Sequence, residues 1–95
     1  MRLKDKVAII TGGSSGIGKA ITLGYLREGA KVVISALREP QCQETIKEAE
    51  SLGGEAAYFV MDVSDLGMHK ELIDFTVGKF GKADILVNDA GYARR

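Results

Sequence analysis

The sequence predicts a doubly wound α/β fold, with four parallel strands in the order 3-2-1-4 and three helices connecting them. Three observations carry that expectation. Strand-like and helix-like stretches alternate along all 95 residues, at roughly 25 residues per strand–helix repeat, as right-handed parallel crossovers require. The strand-like stretches are continuous apolar runs rich in β-branched residues, the pattern of strands covered on both faces. Glycines crowd the junction between the first strand and the first helix, with Gly12, Gly13, Gly16 and Gly18 inside seven positions.

Each element has its own signal. Val7-Ala8-Ile9-Ile10 reads as the first strand. Ile17, Ala20, Ile21, Gly24 and Tyr25 then recur at helical spacing, and Gly29 supplies a stop. Of the glycines inside helical patterns, Gly24 is the one with an expected packing role. Lys31-Val32-Val33-Ile34-Ser35 is the second strand. Pro40 fits the first turn of a second helix, where its missing N–H is harmless. That helix has Cys42, Ile46 and Ala49 as its apolar stripe, and Gly53-Gly54 ends it. Ala56 to Met61 forms strand three. Ser64 or Asp65 can cap a third helix, whose expected inner face is Leu66, Leu72, Ile73, Val77 and Phe80, closed by Gly81. Ala83 to Val87 is strand four.

Composition excludes several classes of function. Thirteen basic side chains balance thirteen acidic ones, so nothing marks a nucleic-acid partner or an anionic membrane surface. No apolar run approaches the roughly 20 residues that span a bilayer. The opening Met1-Arg2-Leu3-Lys4-Asp5-Lys6 lacks a signal-peptide core. Cys42 is the single cysteine, which fits a reducing, cytoplasmic setting. The length suits one domain, 1–95, and leaves no room for a second.

Thr11-Gly12-Gly13-Ser14-Ser15-Gly16-Ile17-Gly18 lies between the first strand and first helix. A helix N-terminus presents free N–H groups and partial positive charge, which suits a phosphate or pyrophosphate. Glycines let the chain turn off the strand, let backbone approach the phosphates, and let helix pack closely on sheet. Ser14 and Ser15 add hydroxyls. A ligand-free glycine turn is the bland alternative, but the strand–loop–helix context is what the motif requires. No Gly-Lys-Ser/Thr ending follows, which argues against a nucleoside-triphosphatase loop.

The spacing Thr11-Gly-x-x-x-Gly-x-Gly18 resembles that of the short-chain dehydrogenase/reductase family. Asp62-Val63, past strand three, is similar to the family's adenine-recognising pair, and Asp84-Ile-Leu-Val-Asn88-Asp-Ala-Gly91 resembles its Asn-Asn-Ala-Gly segment. The resemblance covers nearly the whole chain. It implies a Rossmann-like NAD(P)-binding sheet, here its N-terminal part, from a family that transfers hydride between a nicotinamide and a carbonyl or alcohol. It implies that Gly12, Ser14, Ser15, Gly16, Ile17 and Gly18 hold the phosphates. Asp62 and Val63 would hold the adenine. Asn88 would tie neighbouring sheet elements together, with Ala90 and Gly91 beside the cofactor. Asp89 departs from the pattern, since an acid there lacks the amide's donors and repels a pyrophosphate.

Cofactor choice turns on the end of strand two, where an acid selects NAD and an arginine accepts the 2′-phosphate of NADP. Ala36 is not acidic, Leu37 stands where NADP-preferring relatives often carry arginine, and Arg38 follows. Ser35 and Arg38 could bind a phosphate together, which favours NADP over NAD.

No Tyr-x-x-x-Lys occurs, because Gly29 and Asp62 follow four residues after Tyr25 and Tyr58, and Tyr92 lies too near the end. The catalytic half expected of the family is therefore missing from these residues, no catalytic or metal site is expected, and the substrate is illegible. The chain should not catalyse alone. A stand-alone nucleotide-binding or self-associating module is the alternative, since strand four would offer an open edge for a homo-oligomer. His69 reads as a surface residue.

Overall fold

The structure, a computed structural model, describes residues 2–12, 16–62 and 66–88. The elements run β1 (Val7–Thr11), α1 (Gly16–Arg27), β2 (Lys31–Ala36), α2 (Glu39–Ser51), β3 (Ala56–Val60), a 3-10 turn (Leu66–Met68), α3 (His69–Phe80) and β4 (Ile85–Asn88). The four strands form one parallel sheet in the order β3-β2-β1-β4. The predicted class and strand order are both observed.

Register follows from side-chain parity. Ala8 pairs with Val32 and Ile85, and Ile10 with Ile34 and Val87. These point to one face, where α1 and α2 bring Leu26, Cys42 and Ala49 into a cluster with Ala8, Ile10, Val32 and Ile34. Ile9 pairs with Val33 and Leu86 and points to the other face, where Met61 and Leu72 complete a smaller cluster. Neighbouring residues of parallel strands in register share a face, so one strand feeds two cores. Phe59 and Phe75 stack in a tilted pair on this second face, with centroids 5.2 Å apart.

Several expectations about helix faces are corrected. On α1 the buried stripe is Gly18, Thr22 and Leu26, one position along from the expected Ile17, Ile21 and Tyr25. Ile21 and Tyr25 remain half-buried against the core, whereas Ile17 is 70% exposed. A Cβ on Gly24 would meet nothing within 4 Å, so packing does not require that glycine. On α3 the inward residues are Leu72 and Thr76, while Ile73 and Val77 are 46% and 42% exposed. The reason is the same in both helices. Thr22 donates its hydroxyl to the Gly18 carbonyl at 2.9 Å, and Thr76 donates to Leu72 at 2.9 Å. A threonine that returns its hydroxyl to the carbonyl four residues back is buried without an unpaired polar group.

The ends of elements shift by a residue or two. Met61 lies past β3, though it is buried and its N–H donates to the Ala36 carbonyl at 3.0 Å. The fourth strand starts at Ile85 instead of Ala83. The third helix starts at His69, with Met68 at its cap and no side-chain capping bond. Ser64 and Asp65, the expected caps, lie outside the described residues. Cys42, Ala49 and half-buried Ile46 form the α2 stripe as read, and Pro40 sits in its first turn. Among the described residues no helix is long and apolar enough to cross a membrane.

Candidate functional site

The carboxyl ends of the four strands, together with the start of α1, gather most of the residues expected to bind a cofactor. In open parallel sheets this is the end where ligands bind. Gly12 leaves β1 with φ of 76° and donates its N–H to the Ser35 carbonyl at 2.7 Å. Gly16 opens α1 at φ of 56°, with open space where a side chain would stand. Both conformations suit glycine and strain other residues. Glycine thus stands both where the chain leaves β1 and where α1 begins.

Gly18 lies buried under that first turn, as close helix–sheet packing needs. Ile17 beside it is exposed. Thr11, the last residue of β1, is buried and places its hydroxyl 2.9 Å from Asn88 Oδ1 and 3.3 Å from the Val87 carbonyl. Asn88 thus ties β4 to β1 at the mouth of the site. Asp62 is exposed one residue beyond Met61, at the same end of the sheet. Ser14, Ser15, Val63, Ala90 and Gly91 were also expected at the site and lie outside the described residues, as does Asp89.

The two residues expected to share a 2′-phosphate face different surroundings. Ser35 is wholly enclosed, and among the described residues its hydroxyl has no hydrogen-bond partner. A phosphate cannot reach it unless the end of β2 opens, and an unpaired buried hydroxyl costs about 1–3 kcal/mol. Arg38 is exposed at the cap of α2, in extended conformation with φ of −100°, and its carbonyl accepts the Cys42 N–H at 3.3 Å. Between them Ala36 is half-buried and Leu37 is 66% exposed. The end of β2 therefore presents an arginine and an aliphatic side chain, with no acid at the Ala36 or Leu37 positions.

One residue that supports the site was not singled out by its side chain. At the opposite end of β4, Asp84 accepts the Val7 N–H at 2.9 Å and donates its own N–H to the Val7 carbonyl at 2.8 Å. Lys82 pairs with it at 3.2 Å. The hydrogen bond from Val7, then Lys82, and more weakly Lys6, hold its carboxyl below the ordinary 3.8 despite some desolvation. β4 is thus fastened to β1 at both ends, by Asp84 below and Asn88 above. Its signal was its place at the head of a strand, two positions after Lys82.

This arrangement offers glycine backbone, a helix N-terminus, an acid and an amide around one sheet end, chemistry that suits a phosphate-bearing ligand. Comparison with known proteins shows the family. The short chain dehydrogenase family matches residues 6–95. A 3-oxoacyl-(acyl-carrier-protein) reductase of Thermotoga maritima is 44% identical over 94 residues, covering 99% of this chain and 38% of that one. The solved glucose dehydrogenase of Caenorhabditis elegans, in its apo form, superposes with a TM-score of 0.87 at 41% identity, over 94% of this chain and 39% of its own. An actinorhodin polyketide ketoreductase solved with NADPH superposes at 0.84 with 34% identity, over 88% of this chain and 32% of its own. The chain spans 32% to 39% of the length of these proteins. On its fold, its glycine junction and its match to the family over nearly every residue, the chain belongs to the short-chain dehydrogenase/reductase family.

Proposed function

We propose that residues 1–95 are the N-terminal, dinucleotide-binding part of a short-chain oxidoreductase domain. The observation that carries this reading is the convergence of Gly12, Gly16, Asp62 and Asn88 on one end of the sheet. The bound dinucleotide supplies hydride chemistry at its nicotinamide. The chain's own residues bind and orient it. Gly12, Ser14, Ser15, Gly16, Ile17 and Gly18 receive the pyrophosphate, where the start of α1 provides N–H groups and partial positive charge. Asp62 accepts from the adenine amino group and Val63 packs on the ring. Asn88 ties β4 to β1 through Thr11, and Ala90 and Gly91, being small, would admit backbone beside the cofactor.

NADP is the preferred dinucleotide in this reading, with NAD second. Support comes from Arg38, exposed at the end of β2, and from the absence of acid at Ala36 and Leu37. Ser35 contributes in so far as the strand end opens. These 95 residues contain no Tyr-x-x-x-Lys, so we expect cofactor binding from them without turnover. The single cysteine fits a cytoplasmic setting.

Titration with NADPH and NADH, followed by nicotinamide fluorescence, tests the reading. Saturable binding with NADPH tighter than NADH is expected, and absence of any saturable change overturns it. Gly12→Val forces a β-branched residue to φ near 76° and should abolish the fluorescence change while adding about 1–3 kcal/mol of local strain.

A second reading, a nucleotide-binding module that associates with itself, has its own observation. β4 pairs with β1 and has no other neighbour among the described strands, and Leu86 on it is 61% exposed. An open apolar strand edge invites pairing with a second copy. Light scattering at tens of micromolar should find a dimer, and a monomer there refutes the edge pairing.

A further inference from the structure

Two opposite charges stand side by side at the start of α2, Arg38 at the cap and Glu39 at the next position. They are held differently. Arg38 is exposed and makes no capping hydrogen bond. Glu39 is tied down, because the Tyr58 hydroxyl donates to its Oε2 at 2.8 Å. Gln43 Nε2 in turn donates to the Tyr58 hydroxyl oxygen at 3.4 Å. Gln43 follows Glu39 by one helical turn, so both side chains lie on the same flank of α2.

The location of Tyr58 gives this chain of hydrogen bonds a direction. Tyr58 pairs with Ile34, two residues before the Ala36–Val60 pair at the carboxyl end of the sheet. Its ring packs with the cluster beneath α1 and α2. The Glu39 carboxylate is therefore drawn back along β3, away from the end of β2 where Arg38 stands. Adjacent residues have Cα atoms only about 3.8 Å apart. Released from Tyr58, the same carboxylate would compete with a ligand phosphate for the Arg38 guanidinium and would repel that phosphate directly.

We propose that Tyr58 is a specificity-determining positioning residue, which holds the Glu39 carboxylate over β3 and so leaves Arg38 uncancelled for a ribose 2′-phosphate. The inference rests on the reading of Arg38 as the 2′-phosphate ligand. Tyr58 itself touches no cofactor in this account and acts through Glu39.

The test measures a ratio, so a general loss of stability does not mimic it. The 95-residue chain and its variants Tyr58→Phe, Glu39→Gln and the double variant are titrated calorimetrically with 2′,5′-ADP and with 5′-AMP, which differ by the 2′-phosphate alone. The wild type should prefer 2′,5′-ADP. Tyr58→Phe should narrow that preference about three- to tenfold, the size of one partly screened charge at close range. Glu39→Gln should keep it, and the double variant should recover the wild-type ratio, a rescue that a merely structural role for Tyr58 would not give. An unchanged ratio in Tyr58→Phe, or no recovery in the double variant, overturns the inference and leaves the Arg38 reading standing. Equal affinity of the wild type for both nucleotides overturns the Arg38 reading and the inference together.

Discussion

The two faces of the sheet are built unequally. Beneath α1 and α2, the residues Ala8, Ile10, Val32 and Ile34 are sealed to the last ångström. On the opposite face α3 is the one helix among the described residues over Ile9 and Val33. A groove of about 240 Å³ runs beside it, between α3 and β4, lined by Ile9, Leu72, Ile73, Ile85 and Leu86. Leu86 sits in register with Ile9, yet it is largely exposed while Ile9 is buried. Two neighbours on one face of one sheet thus have opposite environments. Burial of a strand residue is decided by what lies over it, and its own hydropathy has no say in that.

The difference can be broken first by truncation. Ile34→Ala on the sealed face should destabilise the chain by about 2–5 kcal/mol, through lost transfer energy and an uncollapsed cavity. Leu86→Ala on the open face should cost less than about 1 kcal/mol, because little area is lost from the interior. Chemical denaturation of both variants checks this, and equal losses would show that the open face is covered in solution.

A charge sharpens the comparison further. Leu86→Lys should leave the monomer's stability within about 0.5 kcal/mol, as for an exposed site, while converting a strand-edge dimer to monomer. Sedimentation of the variant beside the wild type reads this directly, and a dimer that survives the lysine does not use this edge.

The smallest effect concerns how β4 is fastened. Asp84 has its carboxyl pKa lowered on folding, so the stabilisation it provides is complete above the ordinary carboxylate value of 3.8 and fades as pH falls through the lower, folded value. Asp84→Asn should flatten that acid limb while leaving the dependence above pH 5 or so unchanged. Denaturation midpoints across pH 2 to 6 would decide it, and an acid limb identical to the wild type would remove Asp84 from the account.

Much of the candidate site is legible in the residues. Gly12 and Gly16 announce a turn that only glycine makes comfortably, and the structure gives both positive φ. Asn88 needed a partner that no sequence spacing names, the hydroxyl of Thr11 across the sheet. Ser35 shows the converse. Its place at the end of β2 suggests a phosphate ligand, but side-chain parity turns it inward with Ile9 and Val33 instead of outward with Arg38. Tyr58 and Glu39 are nineteen positions apart, and only the packing of α2 on β3 brings them together.

The sequence by itself determined the alternation of strands and helices, their parallel order, and the glycine junction at the head of α1. The elements and the glycine turn follow from short-range physics, because β-branched runs, helical spacing and glycine turns act within a few residues, and the parallel order follows from the right-handed crossover rule. Tertiary structure alone decided which side of α1 and of α3 meets the sheet, whereas the inward stripe of α2 was legible in its residues. On α1 the spacing of Ile17, Ile21 and Tyr25 points to one face, whereas the buried face carries Gly18, Thr22 and Leu26. That face lies against the sheet because its small residues admit close approach, and the buried helix threonines Thr22, Thr45 and Thr76 each satisfy the hydroxyl within their own helix.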